Sequence, residues 1–198
     1  MRIDPPALLP ILRSQNQARL LTWLLLHPSQ EYALGELAKR LAIAPSTLHQ
    51  EVERLVRAGI VADRQVGRNR LLRANTSSRL VPALTTLMSL SFGPEVVVGE
   101  EFAGIEGAEQ VIIYGSWAQR FEGAEGPEPG DVDVLVVGAA DREQVYDAAD
   151  RAQERLGLDV NPTLRSVASW EEAGDALVAA IKSSDYIVVA SADARDAA

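Results

Sequence analysis

Glu109-Gln110-Val111-Ile112-Ile113-Tyr114 runs straight into Gly115-Ser116-Trp117-Ala118-Gln119-Arg120, and Asp131-Val132-Asp133-Val134-Leu135-Val136-Val137 follows after a polar loop at 122–130. Both apolar runs have strand length and are rich in Val and Ile, so each predicts a strand. Gly115 lets the backbone come close to a phosphate, because it has no Cβ. Ser116 offers a hydroxyl, and the helix start behind it offers free N–H groups to an anion. Asp131 and Asp133 stand two apart on a strand, so their carboxylates share one face. Such a pair is an oxygen-rich site for Mg²⁺, an ion that neutralises triphosphate charge and lines up a leaving pyrophosphate. The plainer alternatives are a strand-capping pair or a site that has lost its chemistry.

Outward from that core, the pattern alternates. Residues 142–156 predict a helix, 158–164 a strand, 169–182 a last helix and 186–189 an edge strand. Strands alternating with helices place residues 105–198 in a small sheet domain. Upstream, 79–104 reads as a helical connector with a break at Phe92-Gly93-Pro94, and the boundary between domains is set near 91–94.

The first part of the chain, 1–78, has a different order. Residues 16–26 predict a helix that ends at His27-Pro28. A short helix at 35–41, a turn at Ala42-Ile43-Ala44 and a helix from Pro45 to Ala58 follow. Pro is favoured in a first helical turn, and Gly59 closes the helix. Ile60-Val61-Ala62, the turn Gly67-Arg68-Asn69 and the strand 70–74 make a β-hairpin. The expected fold class is therefore α+β with two domains: a winged helix-turn-helix followed by a small mixed sheet.

Charge divides the same way. Residues 1–92 hold 12 Lys+Arg and 6 Asp+Glu, a sum of +6; residues 93–198 hold 7 and 22, a sum of −15; together they give the net −9. Only the basic half suits a polyphosphate partner such as double-stranded DNA. The helix from Pro45 presents Ser46, Thr47, His49, Gln50, Glu53 and Arg54, and the N-terminal part of such a helix enters the major groove. The hairpin adds Arg64, Arg68, Asn69, Arg70 and Arg73, which suit a wing lying along phosphate. A protein-interaction or dimerisation module is the other use of such a domain.

Residues 14–76 resemble the winged helix-turn-helix regulators related to arsenic- and multidrug-responsive repressors. That resemblance implies a homodimer on a palindromic operator. Residues 108 to about 190 resemble the nucleotidyltransferase superfamily of polymerase-beta-like enzymes and minimal nucleotidyltransferases, whose pattern is strand, Gly-Ser, loop, then Asp-x-Asp on the next strand. It implies nucleotide binding by Gly115, Ser116 and Arg120, and Mg²⁺ held by Asp131 and Asp133. It also implies a third carboxylate on a neighbouring strand, acting as general base or completing a second metal site, for which Asp159 is the candidate. Asn161-Pro162 resembles a motif of fused members, with no role assigned to it.

Two functions are expected. The first is a Mg²⁺-dependent transferase that moves AMP from ATP, or a nucleotide from another NTP, to a partner protein; for minimal nucleotidyltransferases the resemblance implies a toxin as acceptor. The second is a transcriptional regulator that senses nucleotide without turning it over. Antibiotic adenylylation is a weaker third, since it has no use for a basic winged helix. There is no cysteine, which excludes disulfides and thiolate metal sites and fits a cytoplasmic protein. Met1-Arg2-Ile3-Asp4-Pro5-Pro6 lacks the apolar core of a signal peptide. No run is expected to reach the roughly 18 apolar residues of a membrane span.

Overall fold

The computed structural model describes residues 12–124, 129–173 and 175–191. Met1 to Pro6, loop positions 125–128 and Gly174 lie outside the described residues. The chain divides between Gly93 and Pro94 into two compact units. Gly93 is uncharged, so the sums of +6 and −15 belong to the units as they fold.

The first unit runs α1 (Gln15–Leu26), β1 (Tyr32–Ala33), α2 (Leu34–Arg40), α3 (Pro45–Arg57), β2 (Val61–Val66), β3 (Asn69–Ala74) and α4 (Val81–Phe92). Ser14 caps α1 by accepting from the Gln17 N–H, which satisfies one of the free donors at a helix start. Gly59, at φ 69°, lets the Gly59 and Ile60 N–H groups turn back onto the Val56 and Leu55 carbonyls, the paired closure of a Schellman end. The sheet is antiparallel in the order β1-β3-β2. This order of elements is compatible with a winged helix-turn-helix. Its core joins Leu20, Leu24, Leu37, Leu48, Val52, Leu72 and Met88.

The hairpin is longer than its apolar residues predict. Val66 pairs with Asn69, which leaves Gly67 and Arg68 as a two-residue turn. Gly67 has φ 57°, and a Gly in the first central position suits a II′ hairpin turn. Ladder hydrogen bonds carry the strands through Asp63, Arg64 and Gln65 although these side chains are exposed.

The second unit runs α5 (Pro94–Phe102), β4 (Ala108–Tyr114), α6 (Gly115–Phe121), β5 (Asp131–Gly138), α7 (Arg142–Leu156), β6 (Asp159–Arg165), α8 (Val167–Glu171), α9 (Ala176–Lys182) and β7 (Ile187–Ser191). The sheet order is β6-β5-β4-β7. β5 and β6 are parallel, joined through α7, and the other pairs are antiparallel. Pro162 sits in β6, an edge strand, where a missing N–H is tolerated.

Two further expectations change. The single helix over 169–182 is two helices: Ala173 takes φ 50°, and Asp175 starts α9 afresh by accepting from the Val178 N–H. The expectation that no run approaches span length meets one exception by length and composition alone, Val81–Phe102. Gly93 divides that run, however. Val81 and Met88 of α4 are buried in the first unit, and Val97, Val98 and Phe102 of α5 are buried in the second. The residues read as a connector, 79–104, are shared between the two units in this way.

Candidate functional site

In the second unit the ladder sets the site. Tyr114 of β4 pairs with Asp133 of β5, and Asp133 lies in register with Asn161 of β6 while Asp131 lies in register with Asp159. In-register neighbours share a sheet face, so Tyr114, Asp131, Asp133, Asp159 and Asn161 stand on one face at one end of the sheet. Asn161 Nδ2 donates to Asp131 Oδ2 at 3.1 Å. Burial pushes the Asp133 carboxyl above the usual aspartate value, the Asp131 charge adds to that, and the Asn161 amide opposes it. Two crowded, partly desolvated carboxylates repel each other, and a divalent cation relieves that repulsion. The donor set therefore fits Mg²⁺.

Gly115 turns the chain beside this pair. Its φ is 75°, and a Cβ built on it would lie 2.6 Å from Asp133 Oδ2. The two halves of the motif, Gly-Ser and Asp-x-Asp, thus touch. Ser116 lies in the first turn of α6. Arg120 donates to the Ala124 carbonyl, so its guanidinium helps to close the end of α6. Trp117 is buried, as core packing requires. Burial raises the Tyr114 hydroxyl pKa, against a hydrogen bond with Thr163. Asp159 is exposed, and among the described residues no group of three or more His, Cys, Asp or Glu could hold a metal ion.

The residue that sequence reading left without a role is Asn161. One signal was present: Asn161 repeats the two-residue spacing of the Asp pair relative to Asp159. Which of these two faces Asp133 depends on strand register, and that is set by packing rather than by local sequence.

In the first unit, Ser46, His49 and Gln50 are exposed and Thr47 is half-buried on α3. Arg54 is held at 2.6 Å by Glu51, whose carboxylate is buried with Oε2 unpartnered. The hairpin arginines differ. Arg64 forks onto Glu31, with Nε–Oε1 at 2.8 Å. Arg73 stands 4.0 Å from the same carboxylate. Arg70 binds Asp63 at 2.8 Å and also Glu53 of α3. Arg68 and Asn69 are exposed at the tip.

No family model and no curated protein sequence matches the chain. Solved structures give partial likenesses. Reduced HlyU from Vibrio cholerae N16961 is 26% identical, with 42% of this chain and 82% of that one covered and a TM-score of 0.35. The transcriptional regulator HlyU from Vibrio vulnificus CMCP6 is 26% identical, with 42% and 81% covered and a TM-score of 0.34. The tri-AMPylated Shewanella oneidensis HEPN toxin in complex with MNT antitoxin gives 14% identity, 52% and 77% coverage and a TM-score of 0.31. Likenesses of that size assign no function.

Proposed function

We propose that the chain is a DNA-binding transcriptional regulator whose second unit binds a Mg²⁺–nucleoside triphosphate. The carrying observation is the seat of Gly115 against Asp133, which sets a residue without a side chain beside one carboxylate of the Asp131–Asp133 pair. Asp131 and Asp133 would hold the ion, and bound there it supplies neutralisation of the triphosphate charge. Ser116 is exposed in the first turn of α6, which begins at the end of β4 where Tyr114 pairs with Asp133. On the DNA side, the +6 unit offers the exposed Ser46, His49 and Gln50 to base edges and the tip of the hairpin to phosphate. A second copy of the chain is the partner proposed for α4, which exposes Leu87 and Leu90 with Leu80 just before it; a two-fold pair would read a palindrome.

A second reading has the same site transfer AMP to a protein acceptor. It is favoured by Asp159, which stands in register with Asp131 on the same face. An acceptor hydroxyl would attack the α-phosphorus, pyrophosphate would leave, and Asp159 would take the hydroxyl proton.

One experiment separates the two. The protein is incubated with Mg²⁺ and α-labelled ATP, alone and with the product of the neighbouring gene, beside Asp131→Asn/Asp133→Asn. Nucleotide retained without covalent label, and lost in the double variant, supports the sensing regulator. Label on protein from the wild type alone supports transfer. Retention unchanged in the double variant removes the site.

A further inference from the structure

The geometry points to Arg70 as a positioning residue that braces the wing hairpin against the recognition helix α3, leaving Arg68 as the wing's phosphate contact. The inference rests on the DNA-binding reading of the first unit, and it separates arginines that composition treats alike.

The ladder shows where a brace is needed. β1 pairs with β3 only at Leu71 and Leu72. Arg70 is the first residue past that pairing, toward the tip. From Arg70 outward the wing is a bare two-stranded ribbon, and such a ribbon is marginal in water by itself. A contact made at this point can fix its angle to α3.

Arg70 supplies that contact. Nε donates to Asp63 Oδ2 at 2.8 Å on β2, and Nη1 pairs with Glu53 on α3. The side chain is only 22% exposed, whereas that of Arg64 is 57% exposed. A planar guanidinium with donors on two edges can span two carboxylates, and a lysine ammonium cannot hold that geometry. The hydrogen bond from Arg70 pulls the Glu53 carboxyl below the usual glutamate value. Arg70, Glu53 and Asp63 together carry one net negative charge. Arg70 could therefore reach a phosphate only by abandoning both carboxylates, Asp63 and Glu53. Arg68 has the opposite setting. It is exposed in the turn, and among the described residues it has no ion pair.

The test uses the full chain and four variants, Arg70→Gln, Arg70→Lys, Arg68→Gln and Glu53→Gln. Amide hydrogen exchange is read in the free protein, and binding to a mixed-sequence duplex of about three helical turns is read across a salt series. In the free protein, Arg70→Gln, Arg70→Lys and Glu53→Gln speed exchange at 64–69 by about fivefold, and Arg68→Gln leaves it unchanged. On DNA, Arg68→Gln reduces the slope of log affinity against log salt by about 0.9, one phosphate contact. Arg70→Gln and Arg70→Lys both weaken binding by about fivefold with the slope unchanged. If Arg70→Gln instead lowers the slope by one contact and Arg70→Lys restores it, Arg70 is a phosphate ligand and the brace is wrong. Unchanged exchange in both Arg70→Gln and Glu53→Gln overturns it as well. A wild type that binds no duplex removes the DNA-binding reading, and the exchange data then decide the brace without it.

Discussion

Asn161 crosses from β6 to give its side-chain amide to Asp131 on β5, 3.1 Å away, while standing in register with Asp133. A neutral donor thus occupies the position on the neighbouring strand that faces both acids. It satisfies one carboxylate oxygen and adds no negative charge.

Exchanging that amide for an acid should strengthen cation binding. Asn161→Asp adds an oxygen ligand and a charge next to two carboxylates, and divalent affinity follows ligand charge and number. The expected result is Mg²⁺ affinity higher by about tenfold, read by calorimetry, with a lower Tm in the metal-free protein. Unchanged affinity would mean that Mg²⁺ does not sit between β5 and β6.

Asp133 gives a stability change of defined sign. Its folded pKa is raised by burial and then by Asp131, so the folded protein holds this proton more tightly than the unfolded chain does. The penalty is present in full above the folded pKa, shrinks as pH falls through it, and vanishes below the ordinary aspartate value of about 3.9. Metal-free Asp133→Asn should therefore melt above the wild type near neutral pH, by a few degrees at most, and the two curves should meet in acid. A variant that melts lower at neutral pH would show that the carboxylate is favourably held.

Glu101 should behave in the opposite sense. Burial pushes its carboxyl up, but hydrogen bonds with Arg151 and Arg155 outweigh that and leave it below the usual glutamate value. Arg151 lies at 2.8 Å and Arg155 at 2.6 Å, tying α7 to α5. A depressed folded pKa contributes stability that is present above the unfolded value and lost as pH falls through the folded one. Glu101→Gln should lower Tm near neutral pH, and the gap from the wild type should close in acid. A gap of constant size across the titration would assign the loss to packing instead of charge.

Much of this architecture was legible in the sequence because its signals are local. Pro45 and Gly59 bound α3, and the Val-rich run from Asp131 makes β5. What escaped depends on contacts between distant segments. The split of 169–182 needed the left-handed Ala173 and a new cap at Asp175. The hairpin's true length came from ladder bonds, since Asp63, Arg64 and Gln65 have little apolar character. The site was half legible: the Gly-Ser turn and the Asp pair announce themselves by spacing, whereas Asn161 becomes a member only through the β5–β6 register. Arg64, Arg68 and Arg70 look equivalent until Glu31, Glu53 and Asp63 are folded against two of them.

Gly115 offers the sharpest test of whether turn and acid pair form one site. Its φ of 75° is strained for any residue with a Cβ, and that Cβ would press on Asp133 Oδ2. Gly115→Ala should destabilise by about 1–2 kcal/mol from the backbone alone. Relief by rotating the Asp133 carboxylate would move it away from the ion, so Mg²⁺ affinity should fall by about tenfold. Gly130→Ala is the matched control: it stands next to Asp131, and a Cβ there meets nothing within 4 Å among the described residues. Urea unfolding and Mg²⁺ titration on both variants separate the effects. Loss of stability with unchanged Mg²⁺ affinity in Gly115→Ala would make the glycine a turn residue only. Loss of both, with Gly130→Ala unaffected, is what a single site built from the Gly-Ser turn and the Asp pair requires.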